Sequence, residues 1–155
     1  MHHHGYLWTG PKERFDNEAL RRPSHPEQPP AGSRPELIHR YREVAAEFPI
    51  VDLPPLETAY WLVKPRWLVR GTWDEAKEAA AWLGERLAEH AQRFAYEHDR
   101  DTGRLSRLTD SAAERLATGV DVSYGYYLER PAYLHLALVT CSPNHLMPVL
   151  PCPLG

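Results

Sequence analysis

The strongest constraint on this chain is a phrase written twice: YWLVKPRWLV from Tyr60 and YYLERPAYLH from Tyr126. Both fit Tyr, aromatic, Leu, any residue, basic, Pro, any residue, aromatic, Leu. Aromatic and β-branched residues favour a pleated, half-buried backbone, and Pro between two such runs favours a turn. Each phrase therefore predicts a hairpin. A three-residue turn at Lys64-Pro65-Arg66 would pair Val63 with Trp67 and Trp61 with Val69.

Side chains alternate across a strand, so this register sorts them into two faces. Tyr60, Leu62, Leu68 and Arg70 take one face in the first phrase, and Trp61, Val63, Trp67 and Val69 the other. In the second, Tyr126, Leu128, Leu134, Leu136 and Leu138 oppose Tyr127, Glu129, Tyr133 and His135. The Leu faces match and are expected beneath helices. The opposite face is unusually aromatic for contact with water, and three occupants compete for it: the chain's own arms, a second copy of the chain, or a ligand.

Three helical patterns accompany the phrases. Leu37, Tyr41, Val44 and Phe48 recur at helical spacing after Pro35, and Pro49 ends that run. Thr72 and Glu75 resemble a capping box ahead of a long helix over about 73–98, whose stripe is Ala76, Ala80, Leu83, Leu87, Ala91 and Phe94. A third helix over about 104–118 carries Leu105, Leu108, Ala112 and Leu116, with Gly119 as its stop. The order α-β-β-α-α-β-β predicts an α+β fold: two αββ halves forming a mainly antiparallel four-stranded sheet with helices packed on one face. A duplication relating residues 36–72 to 104–141 would account for the repeated phrase.

Residues 1–34 read as a Pro-rich N-terminal arm, 35–141 as the α+β domain, and 142–155 as a Pro-rich C-terminal arm. Five prolines between Pro23 and Pro35 favour extended chain. Tyr6, Leu7, Trp8 and Phe15 nonetheless predict that part of the first arm docks on the body or on a partner. The opening MHHH reads as either a truncated tag or a native start, able to chelate copper or nickel adventitiously.

Composition narrows the function more than it defines one. A net charge of −3 argues against a generally basic nucleic-acid binder. A single-stranded nucleic-acid surface would have to rest on Lys64, Arg66 and Arg70 interleaved with Trp61 and Trp67, and the second phrase lacks that cationic setting. No apolar run reaches the roughly 20 residues of a membrane span, and no signal-peptide pattern opens the chain. A cytoplasmic location is the expectation, with Cys141 and Cys152 as reduced thiols.

His135, Cys141, His145, Met147 and Cys152 crowd the last 21 residues, which raises the question of a metal. Structural zinc sites use two tight ligand pairs, and the gap from Cys141 to Cys152 does not match that pattern, so no metal or cofactor is expected. No Gly-x-Ser-x-Gly or phosphate-binding glycine loop occurs, and the carboxylates fall on solvated helix faces. The sequence reads as a non-enzymatic protein–protein interaction or assembly module, homo-oligomeric through its aromatic sheet face and Pro-rich arms. The alternative is a small enzyme or small-molecule-binding protein with its pocket on that face. In either case Trp61, Trp67, Tyr127, Glu129, Tyr133 and His135 are the candidate binding residues.

Overall fold

A computed structural model describes all 155 residues. Strand β1 (His2–Pro11) leads into a one-turn helix α1 (Lys12–Phe15), and helix α2 spans Pro35–Glu47. Strand β2 (Gly71–Trp73) precedes helix α3 (Ala76–His90), and helix α4 runs Thr102–Ala117. Strands β3 (Val122–Tyr127) and β4 (Ala132–Cys141) complete an antiparallel four-stranded sheet in the order β2-β1-β4-β3. The α+β class and the antiparallel sheet are as the sequence predicts.

The sources of two strands are not. Residues of the first phrase form no hairpin; Thr58–Val63 and Arg66–Leu68 are 3₁₀ turns. Pro65 has no N–H to give a ladder, and Trp61 and Leu62 are buried against the sheet as covering residues, not within it. The expected first αββ half is thus replaced: β1, placed in the N-terminal arm by the sequence, supplies a central strand. The two phrases take different backbone conformations.

β1 pairs with β4 from His2↔Cys141 to Pro11↔Ala132, so the alternation of both strands is locked together. Leu7, Leu134, Leu136 and Leu138 face α3 and α4, where they meet Leu83, Leu87, Leu105, Ala112 and Leu116. Tyr126 joins this layer, its ring stacked on Phe94 at 4.4 Å. The second hairpin has the predicted facing, but its register is Tyr127↔Tyr133, which leaves a connection two residues longer than a turn at Arg130-Pro131-Ala132 requires. A shift of two leaves every side chain on its expected face.

His4, Tyr6 and Trp8 share the opposite face with His135, Ala137, Val139 and Cys141. That face is covered by the chain itself. Tyr6, Trp61, Leu62, Ala137, Val139 and Cys141 form one cluster, with Leu150 and Cys152 of the C-terminal segment packed against it. Trp8, Phe15 and Leu53 form another. Of the three occupants weighed for this face, the chain's own arms and the 58–69 segment take it.

Helix boundaries follow local chemistry. Asp101 caps α4 by accepting from the Arg104 N–H at 2.8 Å, and Gly119, at φ 84°, closes it with its N–H on the Leu116 carbonyl. The expected long helix ends early, at His90, and breaks into 3₁₀ turns at Ala91–Arg93 and Glu97–Arg100. Thr72 is not a cap; it belongs to β2. Helix α2 has the predicted span, yet none of its residues is buried. No helix is long and apolar enough to cross a membrane.

Leu87 lies fully buried between α3 and the sheet, whereas Trp67 is 75% exposed. Leu87→Ala is expected to cost about 2–5 kcal/mol in urea unfolding, from lost burial and the cavity left behind. Trp67→Ala should stay within about 0.5 kcal/mol of wild type.

Candidate metal centre

The pairing of β1 with β4 assembles a group that the sequence scatters. His2 and His4 lie two residues apart, so both point to the same face of the sheet. Cys141 lies directly opposite His2, and the C-terminal segment lays Cys152 over the same spot. The result is four ligand atoms, two imidazole nitrogens and two sulfurs, all within 4.8 Å of one another.

The distances have the form of a coordination shell. His2 Nε2 lies 3.2 Å from Cys141 Sγ and 3.3 Å from Cys152 Sγ. His4 Nε2 lies 3.3 Å from Cys141 Sγ and 3.5 Å from Cys152 Sγ. Zinc–sulfur bonds of about 2.3 Å and zinc–nitrogen bonds of about 2.0 Å, set at the tetrahedral angle, require N···S edges of about 3.5 Å. The four N···S edges already match that size to within a few tenths of an ångström.

The surroundings favour the same chemistry. His4 Nδ1 is 2.8 Å from Thr72 Oγ1. In the tautomer that leaves Nε2 free to ligate, Nδ1–H donates to that hydroxyl, fixing the ring as outer hydrogen bonds do around bound metals. His4 is fully buried, and burial, followed by the charges of His2 and His3, lowers its pKa to about 4; the imidazole is neutral at physiological pH. Burial raises the Cys141 thiol to about 11. A divalent cation is what would turn the two sulfurs into thiolates, and two thiolates cancel its charge in a site of low polarity. His2 and Cys152 are only partly buried, which gives an ion a way in.

His3 points to the helix side, where Nδ1 sits 2.8 Å from Thr140 Oγ1. Each of the three histidines therefore has its own place in the strand. The other members of the His/Cys/Met group in the last 21 residues lie elsewhere. His145 is near Asp121, Met147 follows in the same segment, and His135 sits further down the sheet opposite Trp8.

The six candidate binding residues do not form one pocket. Trp61, 2% exposed, stacks on Tyr6 with centroids 4.5 Å apart, while Trp67 faces solvent. Glu129 is on the surface in an ion pair with Arg93. Tyr127 and Tyr133 do meet, edge to face at 5.1 Å, and the Lys12 ammonium lies 5.3 Å from the Tyr133 centroid and 5.5 Å from that of Tyr127. Lys12 is itself paired with Asp16. His135, 8% exposed, lies beneath Phe15 at 5.7 Å, and its Nδ1 has no partner. An aromatic pocket with Glu129 and His135 as its polar groups is therefore not assembled: burial separates the two.

One signal in the sequence pointed to the metal group. His-x-His on a strand presents both rings to one face, and the chain's two cysteines lie near its other end, at the close of β4 and in the C-terminal segment. The signal was lost because the histidines resemble a tag and their partners lie more than 130 residues away.

Burial, with a smaller push from the Arg21 charge, lowers His135 to about 4 from an ordinary 6.5. Between those values the unfolded chain binds a proton that the folded one does not, so stability present above pH 6.5 is lost as pH falls through 4. The expected loss from this residue is about 3 kcal/mol. His135→Leu should give a visibly shallower acid limb in unfolding measured from pH 7 to pH 4; an unchanged limb would assign that dependence to other groups. Comparison with protein-family models, with curated proteins and with solved structures finds no match for this chain.

Proposed function

We propose that this protein is a zinc-binding, non-enzymatic module in which a Cys₂His₂ centre of His2, His4, Cys141 and Cys152 fastens the N-terminal strand and the C-terminal segment to the sheet. The observation that carries the reading is the convergence of these four ligand atoms within 4.8 Å. Two sulfurs and two imidazoles, with N···S separations near the tetrahedral edge, suit zinc above harder cations such as magnesium or calcium, which take oxygen ligands. Four protein ligands fill the tetrahedron, leaving no position for substrate or activated water, so the role is structural rather than catalytic.

The benefit follows from where the ligands sit in the chain. His2 and Cys152 are 150 residues apart, and closing a loop of that length removes about 5 kcal/mol of conformational entropy from the unfolded chain. The exposed apolar side chains Trp67, Leu146 and Val149 supply contacts of the kind an interaction module uses. A partner protein or a second copy is the proposed occupant, with the metal keeping the C-terminal segment in place beneath.

Calorimetric titration of the metal-free full chain is expected to show one zinc bound per chain, with a raised melting temperature. Cys141→Ala or His4→Ala should weaken binding by more than about 100-fold, and Thr72→Val, which removes only the outer hydrogen bond, by about 10–100-fold. Equal affinity in the ligand variants and wild type would exclude this site.

A further inference from the structure

Two of the four ligands are thiols that share the same neighbours. Cys141 Sγ and Cys152 Sγ each touch both His2 Nε2 and His4 Nε2, and the two sulfurs lie within 4.8 Å of each other. We propose that this pair is an oxidation site: a peroxide converts Cys141 and Cys152 into an intramolecular disulfide and expels the zinc. The inference rests on the zinc reading and adds its regulation.

Position in the fold gives the two sulfurs different roles. Cys141 is fully buried at the end of β4, held opposite His2 by the ladder. Cys152 is partly exposed, between Pro151 and Pro153 in a segment that pairs with no strand. Its backbone carbonyl is engaged only locally, accepting from the Gly155 N–H at 3.2 Å. A disulfide needs the sulfurs at about 2.05 Å, a closing movement of at most about 2.8 Å from the observed bound. The C-terminal segment can make that movement without disturbing the sheet.

The chemistry balances without any group from outside except the oxidant. The accessible Cys152 sulfur attacks the peroxide O–O bond, becoming a sulfenic acid as hydroxide leaves. The Cys141 sulfur then attacks the sulfenic sulfur, the S–S bond forms, and a second hydroxide departs. Two protons from solvent convert both hydroxides to water; the sulfurs are oxidised by two electrons and the peroxide is reduced. A disulfide sulfur carries no charge and is a poor zinc ligand, so one step removes two ligands of four. His2 and His4 alone do not hold the ion.

The experiment uses the zinc-loaded full chain treated with hydrogen peroxide in the presence of a chromogenic zinc chelator. One zinc should be released per chain, in step with the loss of two thiols and a mass decrease of about 2 Da, the signature of a disulfide without added oxygen. A dithiol reductant should restore both thiols and zinc binding, and the oxidised chain should bind zinc at least about 100-fold more weakly. Zinc release accompanied by mass gains from sulfinic acid, or by cross-linked dimers, would overturn the switch while leaving the zinc centre intact. So would zinc retained after peroxide. A chain that takes up no zinc before oxidation would remove the centre and the switch together. Mass mapping of the oxidised wild type locates the bond directly, so the result does not depend on a folded cysteine variant.

Discussion

The ladder between β1 and β4 is the interaction on which the rest of this protein depends. Ten consecutive residue pairs, from His2↔Cys141 to Pro11↔Ala132, bind the two ends of the chain into the middle of one sheet. Their shared alternation sets both faces at once. Leu7 and the Leu134, Leu136 and Leu138 series go to the helices, and His2, His4, Tyr6 and Trp8 go to the other side. A slip of β1 by one residue against β4 would exchange the two sets of β1, placing His4 among the leucines and turning Leu7 away from the helices. Register is therefore specified by the core, and the candidate metal group is specified by the register.

The aromatic face has a corresponding logic. An antiparallel sheet ordinarily leaves its second face to water, yet here Trp61, Leu62 and the C-terminal segment cover one end and Phe15 with Leu53 the other. These covering segments are irregular: 3₁₀ turns, a one-turn helix and a Pro-rich tail. Such segments lack the cooperative backbone bonding of a helix, so they depend on side-chain anchors. Lys64 is one anchor, buried with its ammonium donating to the carbonyls of Phe48 at 2.8 Å and Val51 at 2.9 Å. Asn144 is another, donating to the Thr140 carbonyl and to Asp121. In the proposed account, Cys152 on zinc is the last and strongest.

Local pattern made the helices and the second hairpin legible in the sequence. The stripe of Leu83 and Leu87, the Leu105–Ala112–Leu116 series and the Leu134–Leu138 alternation all occupy the core as their periods imply. The first phrase misled because composition alone cannot distinguish a strand from an apolar covering segment. Trp61 and Leu62 are strand formers by propensity, but β1 already fills the place in the sheet that their hairpin would have needed. The candidate binding residues are dispersed: Tyr127 and Tyr133 meet, while Trp61 and Trp67 lie in 3₁₀ turns off the sheet and Glu129 and His135 go to different surroundings. The metal group was the least legible, because its spacing exists only after the two ends of the chain have paired.

The central claim concerns what those four ligands hold. X-ray absorption at the zinc edge of the zinc-loaded protein measures it directly, since sulfur and nitrogen neighbours differ in distance and scattering. The account expects two sulfurs at about 2.3 Å and two imidazole nitrogens at about 2.0 Å. A first shell made only of nitrogen and oxygen would contradict it, because the ion would then be bound by surface histidines and carboxylates and not between β1, β4 and the C-terminal segment.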